Sequence, residues 1–387
     1  MPKKLHVVFL ADLQNHSERE VCMGAAEYAA ERADWSFDPW ASMDSRSDKV
    51  SSEDLLGVDG ILATEPGLRA LGMFRFRTRT PRIYFLADRQ HRGAPYVSLD
   101  EVATGEMAAE HLLTRGYPEL AFVGSSSMLW SQMRGRAFAA HGKKAGVLAR
   151  KFELPLDQLP VFWSPRAAKR QHDLEQIVTA LRKPCGIFAA NDVIACFVLQ
   201  AAREKGYRVP EDIGVLGVDD DPVPNAAAGL SISSIHPPFR EVGLRAAELL
   251  GDLLKGAKNC SHVRIAPVRV VVRTSTDVFV TNDPLLSKAQ RYIEERRQGR
   301  ILVGELTRAL GTNAVTLGKH FQRTLDVGIR EYIEKRRLEY ATVQLRLGKM
   351  NVDEVTDACG FSSASYFSRV YKRVTGNSPG RVRGRTS

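Results

Sequence analysis

The chain has 387 residues, 44% of them hydrophobic, and a formal net charge of +10 at pH 7. That hydrophobic share supports buried cores and excludes a disordered chain, and the length allows two or three domains. No run of about 18 apolar residues occurs, which excludes a helical membrane span. The N-terminal run Leu5–Ala11 is too short for a secretory leader and stops at Asp12, so it reads as a first buried strand. The charge is unevenly placed. Leu285–Ser387 holds 20 basic and 10 acidic residues, so the whole excess sits there and the preceding residues balance. A basic block on a neutral body suits a polyanionic partner, nucleic acid foremost. The five cysteines, Cys22, Cys185, Cys196, Cys260 and Cys359, are odd in number, widely spaced and lack a C-x-x-C. They suggest neither a zinc site nor a disulfide framework, and they fit a reducing cytoplasm.

In chain order, strand and helix patterns alternate. After the strand Leu5–Ala11, Leu13–Glu18 reads as a polar loop and Arg19–Arg32 as a helix with Val21, Ala25, Tyr28 and Ala29 inward. Gly60–Ala63, Pro81–Ala87 and Tyr96–Asp100 are extended runs. Glu101–Arg115 is helical and stops at Gly116. Leu120–Val123 is a strand, Met133–His141 begins a helix, and Gly186–Ala190 is a strand ending at Asn191 and Asp192. Val193–Lys205 is a helix, Ile213–Val218 a strand ending at Asp219, Asp220 and Asp221, and Phe239–Leu254 a helix. The alternation predicts an α/β domain with parallel sheet, and about 275 residues exceed one core, so two lobes are expected. The polar residues gather just past strand C-termini, where parallel α/β sheets bind ligands.

The C-terminal hundred residues follow another pattern. Two helix-turn-helix units stand in tandem, at about 302–323 and 352–373. In each, a short apolar helix ends at Ala-x-Gly, Ala309–Gly311 and Ala358–Gly360, where glycine permits the tight turn. A small polar N-cap follows: Asn313 in the first unit, Ser362 or Ser363 in the second. The second helix of each unit carries anchors four apart, Leu317 and Phe321, then Phe367 and Tyr371. A helical pattern over about 328–347, with Ile329, Ile333, Tyr340, Val343 and Leu347 on one side, sets the spacing of the units.

The runs VSLDEVATGEMAAEHLLTRGYPELAFVG (Val97–Gly124) and VPEDIGVLGVDDDP (Val209–Pro222), continued by SISSIHPPFREVGLRAAELL and APVRVVVRTST, resemble the LacI/GalR-type regulatory domain. That domain shares its fold with periplasmic sugar-binding proteins. Arg337-Leu338-x-x-Ala341, Gly360-Phe361, Tyr366-Phe367-Ser368-Arg369 and Gly376-Asn377-Ser378-Pro379 resemble the AraC/XylS-type DNA-binding domain. No LacI-type helix-turn-helix precedes the first strand. The combination is similar to xylose-responsive members of this regulator class. It implies an α/β two-lobed periplasmic-binding-protein-like sensor domain (1–276), a linker (277–287) and an all-α tandem helix-turn-helix domain (288–387).

The resemblance implies a sequence-specific transcription activator that binds double-stranded DNA under control of a small sugar, a pentose and xylose foremost. A homodimer, contact with RNA polymerase, a cytoplasmic setting, no membrane and no cofactor complete the expectation. A repressor, a response to another sugar, and a sugar-transport module are the alternatives. It assigns ligand contacts to Asp219 with its neighbour Asp220, to Asn191 and Asp192, and to Arg134 of an R-x-x-x-F pattern; Trp130, Asn15 and His16 are weaker candidates, and Asp100 belongs to the hinge or dimer surface. Each acid could instead cap a helix at a strand-to-helix turn. For DNA, recognition-helix N-termini lie against base edges. Asn313, Thr316, Lys319, His320 and Arg323 are the candidates in the first unit, and Ser363, Ser365, Ser368, Arg369 and Lys372 in the second. Ala314 and Gly318 are small where long polar readers are common, so direct readout by the first helix is expected to be sparse. The tail arginines Arg381, Arg383 and Arg385 are expected to touch phosphates loosely or to be disordered. Enzymatic constellations are missing: Ser125–Ser127 is not G-x-S-x-G, three consecutive acids lack metal-ligand spacing, and there is no P-loop.

Overall fold

The computed structural model describes residues 4–13, 15–41, 56–64, 80–86, 95–154, 165–227, 231–257, 262–277, 280, 283–296, 298–348 and 350–383. Cys260, Ala87, Arg385, part of the expected linker, and the side chains of Val343 and Leu347 lie outside this description. Two six-stranded sheets form the N-terminal body. The first contains β1 (Leu5–Ala11), β2 (Trp35–Ala41), β3 (Gly60–Ala63), β4 (Arg82–Phe85), β5 (Tyr96–Leu99) and β11 (Val263–Ile265), in the order β11-β5-β4-β3-β1-β2. The second contains β6 (Glu119–Ser125), β7 (Ala149–Leu154), β8 (Cys185–Ala189), β9 (Ile213–Val218), β10 (Ser233–His236) and β12 (Arg269–Val271), in the order β12-β10-β9-β8-β6-β7. Every pairing is parallel except β10 with β12. β1, β3, β6, β8 and β9 are buried almost throughout, as central strands covered on both faces must be.

Helices α1 (His16–Ala30), α2 (Glu101–Thr114), α3 (Leu129–Lys144), α4 (Pro165–Ala180), α5 (Asp192–Glu204), α6 (Pro222–Ala227) and α7 (Phe239–Leu254) clothe the sheets. α1 and α7 pack on the first sheet, where Val21, Ala25, Val242, Ala246 and Leu250 join one core. α2 belongs to the second lobe, with Ala108, Ala109 and Leu112 in its core. The chain therefore crosses between lobes at Asp100, near His236–Pro238 and near residues 266–268. Asp100 occupies the first crossing, where its backbone N–H reaches Ile265 and its side chain caps α2 through Ala103 N at 2.9 Å.

Some boundaries differ from the sequence reading. The expected loop Leu13–Glu18 already contains the first turn of α1, because Glu18 is folded inward to cap the preceding turn. In the two lobes β2, β7, β10, β11, β12, α4 and α6 were not anticipated. β2 and β7 are edge strands whose exposed faces weaken the apolar signal, and α4 is strongly polar.

The C-terminal domain begins at α8 (Pro284–Glu295), capped by Asp283, so helix starts inside the expected linker. It continues with α9 (Val303–Ala309), α10 (Ala314–Leu325), α11 (Ile329–Leu347), α12 (Val352–Ala358), α13 (Ala364–Thr375) and α14 (Pro379–Arg383). There are two small cores. Leu286, Ile293, Leu306, Leu317, Phe321 and Ile333 form one, and Leu338, Ala341, Val355, Phe367 and Tyr371 form the other. α11 contributes its first half to one and its second half to the other, which fixes the distance between the units. The segment holding Arg381 and Arg383 is helical through α14, whose Pro379 is buried, so it is not a loose tail.

Candidate ligand cleft and nucleic-acid interface

The cleft side of the second lobe is assembled from the C-terminal ends of β8, β9 and β10. Asp219 ends β9 in a conformation rare for a side-chain residue, φ 108°, and Asp220 follows at φ 52°. Backbone of this kind persists only where surrounding packing enforces it. Among the described residues nothing hydrogen-bonds the Asp219 carboxyl. Burial raises its pKa to about 7, Arg134 lowers it in part, and Glu101 and Asp221 raise it further. Arg134 is 4% exposed. Its Nε pairs with Glu101, its Nη1 donates to Ala190 O at 2.6 Å, and its Cζ lies 4.8 Å from the Trp130 ring centroid. Its Nη2 carries no hydrogen bond to a described residue. Among the described residues, a carboxyl without a hydrogen-bond partner thus stands near a fixed guanidinium, beside an aromatic wall.

The other assigned residues occupy different roles. Asn191 caps α5 by accepting from Ile194 N at 3.0 Å and stays half-buried at the rim. Asp192 is fully buried. Its oxygens accept from Ser234 Oγ at 2.7 Å and Asp221 N at 2.9 Å. Burial, followed by the charge of Asp219, pushes its pKa well above the carboxylate range. The expectation that Asp192 touches ligand is thereby revised: it braces the Asp219–Asp221 turn from behind. Asp220 is engaged too: its carboxylate is held by Arg273 and by His236 Nδ1 at 3.1 Å, which keeps it ionised.

In the first lobe, Asn15 is exposed and accepts from Ser17 Oγ at 3.1 Å, while His16 stands edge-on to Phe239, 6.2 Å between ring centroids. Sequence reasoning missed two acids. Glu18 is buried, accepts from Asp12 N at 2.7 Å and Thr64 Oγ1 at 2.9 Å, and is raised to about 7 by burial. It ties the β1 and β3 strand ends together. Glu101 is only the first residue of a helical run in the sequence, and the fold brings it to Arg134.

The tandem units form the second site. Gly311 and Gly360 take φ 62° and 65°, the left-handed turns expected of them. Asn313 caps α10 through Thr316 N at 2.8 Å, and Ser363, of the two serines, caps α13 through Tyr366 N at 3.2 Å. On α10, Lys319 is exposed and makes no ion pair to a described residue, and Val315 is 70% exposed. A Cβ on Gly318 would meet only Ile329 Cδ1, at 4.0 Å, so this face is shallow by composition rather than by crowding. His320 and Arg323 turn toward α8, where both engage Asp283. The expectation that they face DNA is revised for His320, which is half-buried in that contact. On α13, Ser365, Arg369 and Lys372 are exposed, Ser368 is half-buried, and the Arg369 guanidinium lies 5.6 Å from the Tyr366 ring centroid. Among the described residues Lys319, Arg369 and Lys372 make no ion pair, the arrangement a phosphate backbone requires.

A periplasmic binding protein-like domain matches residues 109–276, and a helix-turn-helix domain matches residues 306–385. The chain joins a periplasmic binding protein-like domain to a C-terminal helix-turn-helix domain, the composition of a sugar-responsive transcription regulator. Over nearly its whole length it is similar to the xylose operon regulatory proteins of Haemophilus influenzae, at 29% identity covering 92% of both chains, and of Escherichia coli K12, at 28% identity covering 97% of this chain and 96% of that one. The solved xylose-binding transcription activator XylR shares the fold, with TM-score 0.60 and 24% identity over 99% of this chain and 98% of that one. No helix among the described residues is long and apolar enough to cross a membrane.

Proposed function

We propose that the chain is a cytoplasmic, D-xylose-responsive transcription activator that works as a homodimer and presents its tandem units to operator DNA and RNA polymerase. The observation that carries the ligand half is the Asp219 carboxyl, close to Arg134 at the strand ends and without a hydrogen bond among the described residues. A sugar satisfies such a pair: adjacent hydroxyls donate to the carboxylate and accept from Nη2, while a C–H face lies on Trp130. Asn191 closes the rim, Asn15 and His16 face it from the first lobe, and Asp192 and Asp220 hold the frame. The xylose regulators to which the chain is similar favour a pentose. Lobe closure on the sugar selects one arrangement of the sensor and so biases the DNA-binding domain.

A thermal-shift screen against mono- and disaccharides tests the ligand. D-xylose at a hundred times its dissociation constant is expected to add about 2.7 kcal/mol to folded-state stability. No shift with any pentose overturns the assignment. For DNA, Arg369→Ala is expected to lower affinity about tenfold and to reduce the slope of log affinity against log salt by about one, as loss of a phosphate contact does. An unaltered slope in an anisotropy titration removes Arg369 from the backbone.

A further inference from the structure

α2 touches both ends of this molecule. Its first residue, Glu101, holds the Arg134 guanidinium. Its later turns meet the C-terminal domain. Glu110 accepts from Lys335 Nζ of α11 at 3.1 Å and from His141 of α3 at 3.3 Å. Arg115, the residue that ends α2, is 1% exposed. Its guanidinium lies 3.8 Å from Asp277 and in the field of Glu294, Arg336 and Tyr332, three groups of the DNA-binding domain. Its carbonyl accepts from Val280 N of the interdomain segment at 2.6 Å.

α2 is also locked to α3, the helix that carries Arg134. A Cβ on Gly105 would stand 2.3 Å from Arg134 O and 2.9 Å from Ala137 Cβ. The two helices therefore touch backbone to backbone at the ligand-binding arginine and cannot slide past one another. Packed interiors transmit displacement of this kind because they have no slack to absorb it.

We propose that the α2–α3 pair is the element through which ligand occupancy reaches the DNA-binding domain. Glu101 acts as the residue that positions Arg134, and Glu110 and Arg115 form the seat on which α11 and the interdomain segment rest. The proposal rests on the ligand reading above. A sugar bridging Asp219 and Arg134 Nη2 pulls on the guanidinium that Glu101 holds by Nε, shifts the pair as one body, and changes the fit of its far end against Lys335, Glu294 and Arg336. The DNA-binding domain then takes a different orientation.

The test uses the full chain, D-xylose, and a DNA duplex recovered by selection on the wild-type protein. The quantity read is the ratio of DNA affinities with and without sugar. Glu110→Lys and Lys335→Glu are each expected to change that ratio at least about threefold, with D-xylose affinity of the DNA-free protein held within about twofold, and the double reversal is expected to restore it. Arg115→Met, which keeps volume and removes charge, is expected to change the ratio in the same direction as the single reversals. Glu101→Gln differs from all of these, because it is expected to weaken D-xylose binding itself. Single reversals that leave the ratio unaltered, or a double reversal that does not restore it, overturn the proposal. A wild-type protein that binds D-xylose and DNA with a ratio of one overturns the reading of the chain as sugar-responsive, and this proposal with it.

Discussion

Asp219→Asn will weaken sugar binding more than about tenfold and at the same time stabilise the sugar-free protein at alkaline pH. The binding loss follows from replacing the charged acceptor of the site by an amide, and should exceed about tenfold by calorimetry. The stabilisation follows from linkage. The Asp219 carboxyl has a pKa of about 7 in the folded chain because it is buried, against an ordinary value of 3.8. Between those values the folded protein holds a proton that the unfolded chain has released. The stability this proton confers is complete below pH 3.8 and is lost as pH rises through 7. The amide pays no such penalty. Its advantage should be absent near pH 4 and reach about 1–2 kcal/mol near pH 8, after allowance for the partial exposure of the group. For the wild type, the ionised form is the better acceptor, so affinity for D-xylose should rise about tenfold between pH 6 and pH 8. A flat affinity profile, or an amide variant melting below wild type at pH 8, would remove Asp219 from the site.

Gly360→Ala will disable the second helix-turn-helix unit while sparing the sensor. Gly360 sits at φ 65°, and a Cβ there would stand 2.3 Å from Gly299 C and 2.4 Å from Arg300 N. Those are backbone atoms of the loop between α8 and α9, which is tied to the same turn by Gly299 N donating to Ala358 O at 2.7 Å. The neighbours cannot rotate away as a side chain would. The substitution should cost the domain about 2–4 kcal/mol, combining left-handed strain with overpacking. Gly311→Ala is the matched control: its φ is 62°, but nothing lies within 4 Å of the added Cβ, so only about 1 kcal/mol is expected. DNA affinity should fall far more in the first variant than in the second, with D-xylose affinity unchanged in both. Equal losses would mean that the loop does not brace the turn.

The fold was largely legible. β1, β3 and β9, α7, both glycine turns and the four recognition-helix anchors stand where periodicity and stop signals put them. The edge strands β2 and β7 escaped because an edge exposes one face and dilutes the apolar signal. Within the site, motif position brought Asp219 and Arg134 to the same lobe face. It could not separate Asp192 and Asp220 from them, because four acids at strand ends look alike until their partners are known. Ser234 and Arg273 are those partners, at 42 and 53 residues' remove.

The sequence by itself determined the two-part architecture, since hydrophobic period, glycine punctuation and charge placement are local properties of the chain. It also carried the regulator class, through motifs long enough to be specific. Tertiary structure alone decided which polar groups keep a free valence. Among the described residues Asp219, at φ 108°, has one, whereas His320 is drawn into Asp283, a residue 37 positions away. It alone placed Glu101 on Arg134 and Glu110 on Lys335. Hydrogen bonds and ion pairs act over a few ångströms in space, and no spacing along the chain records which distant side chains close that gap.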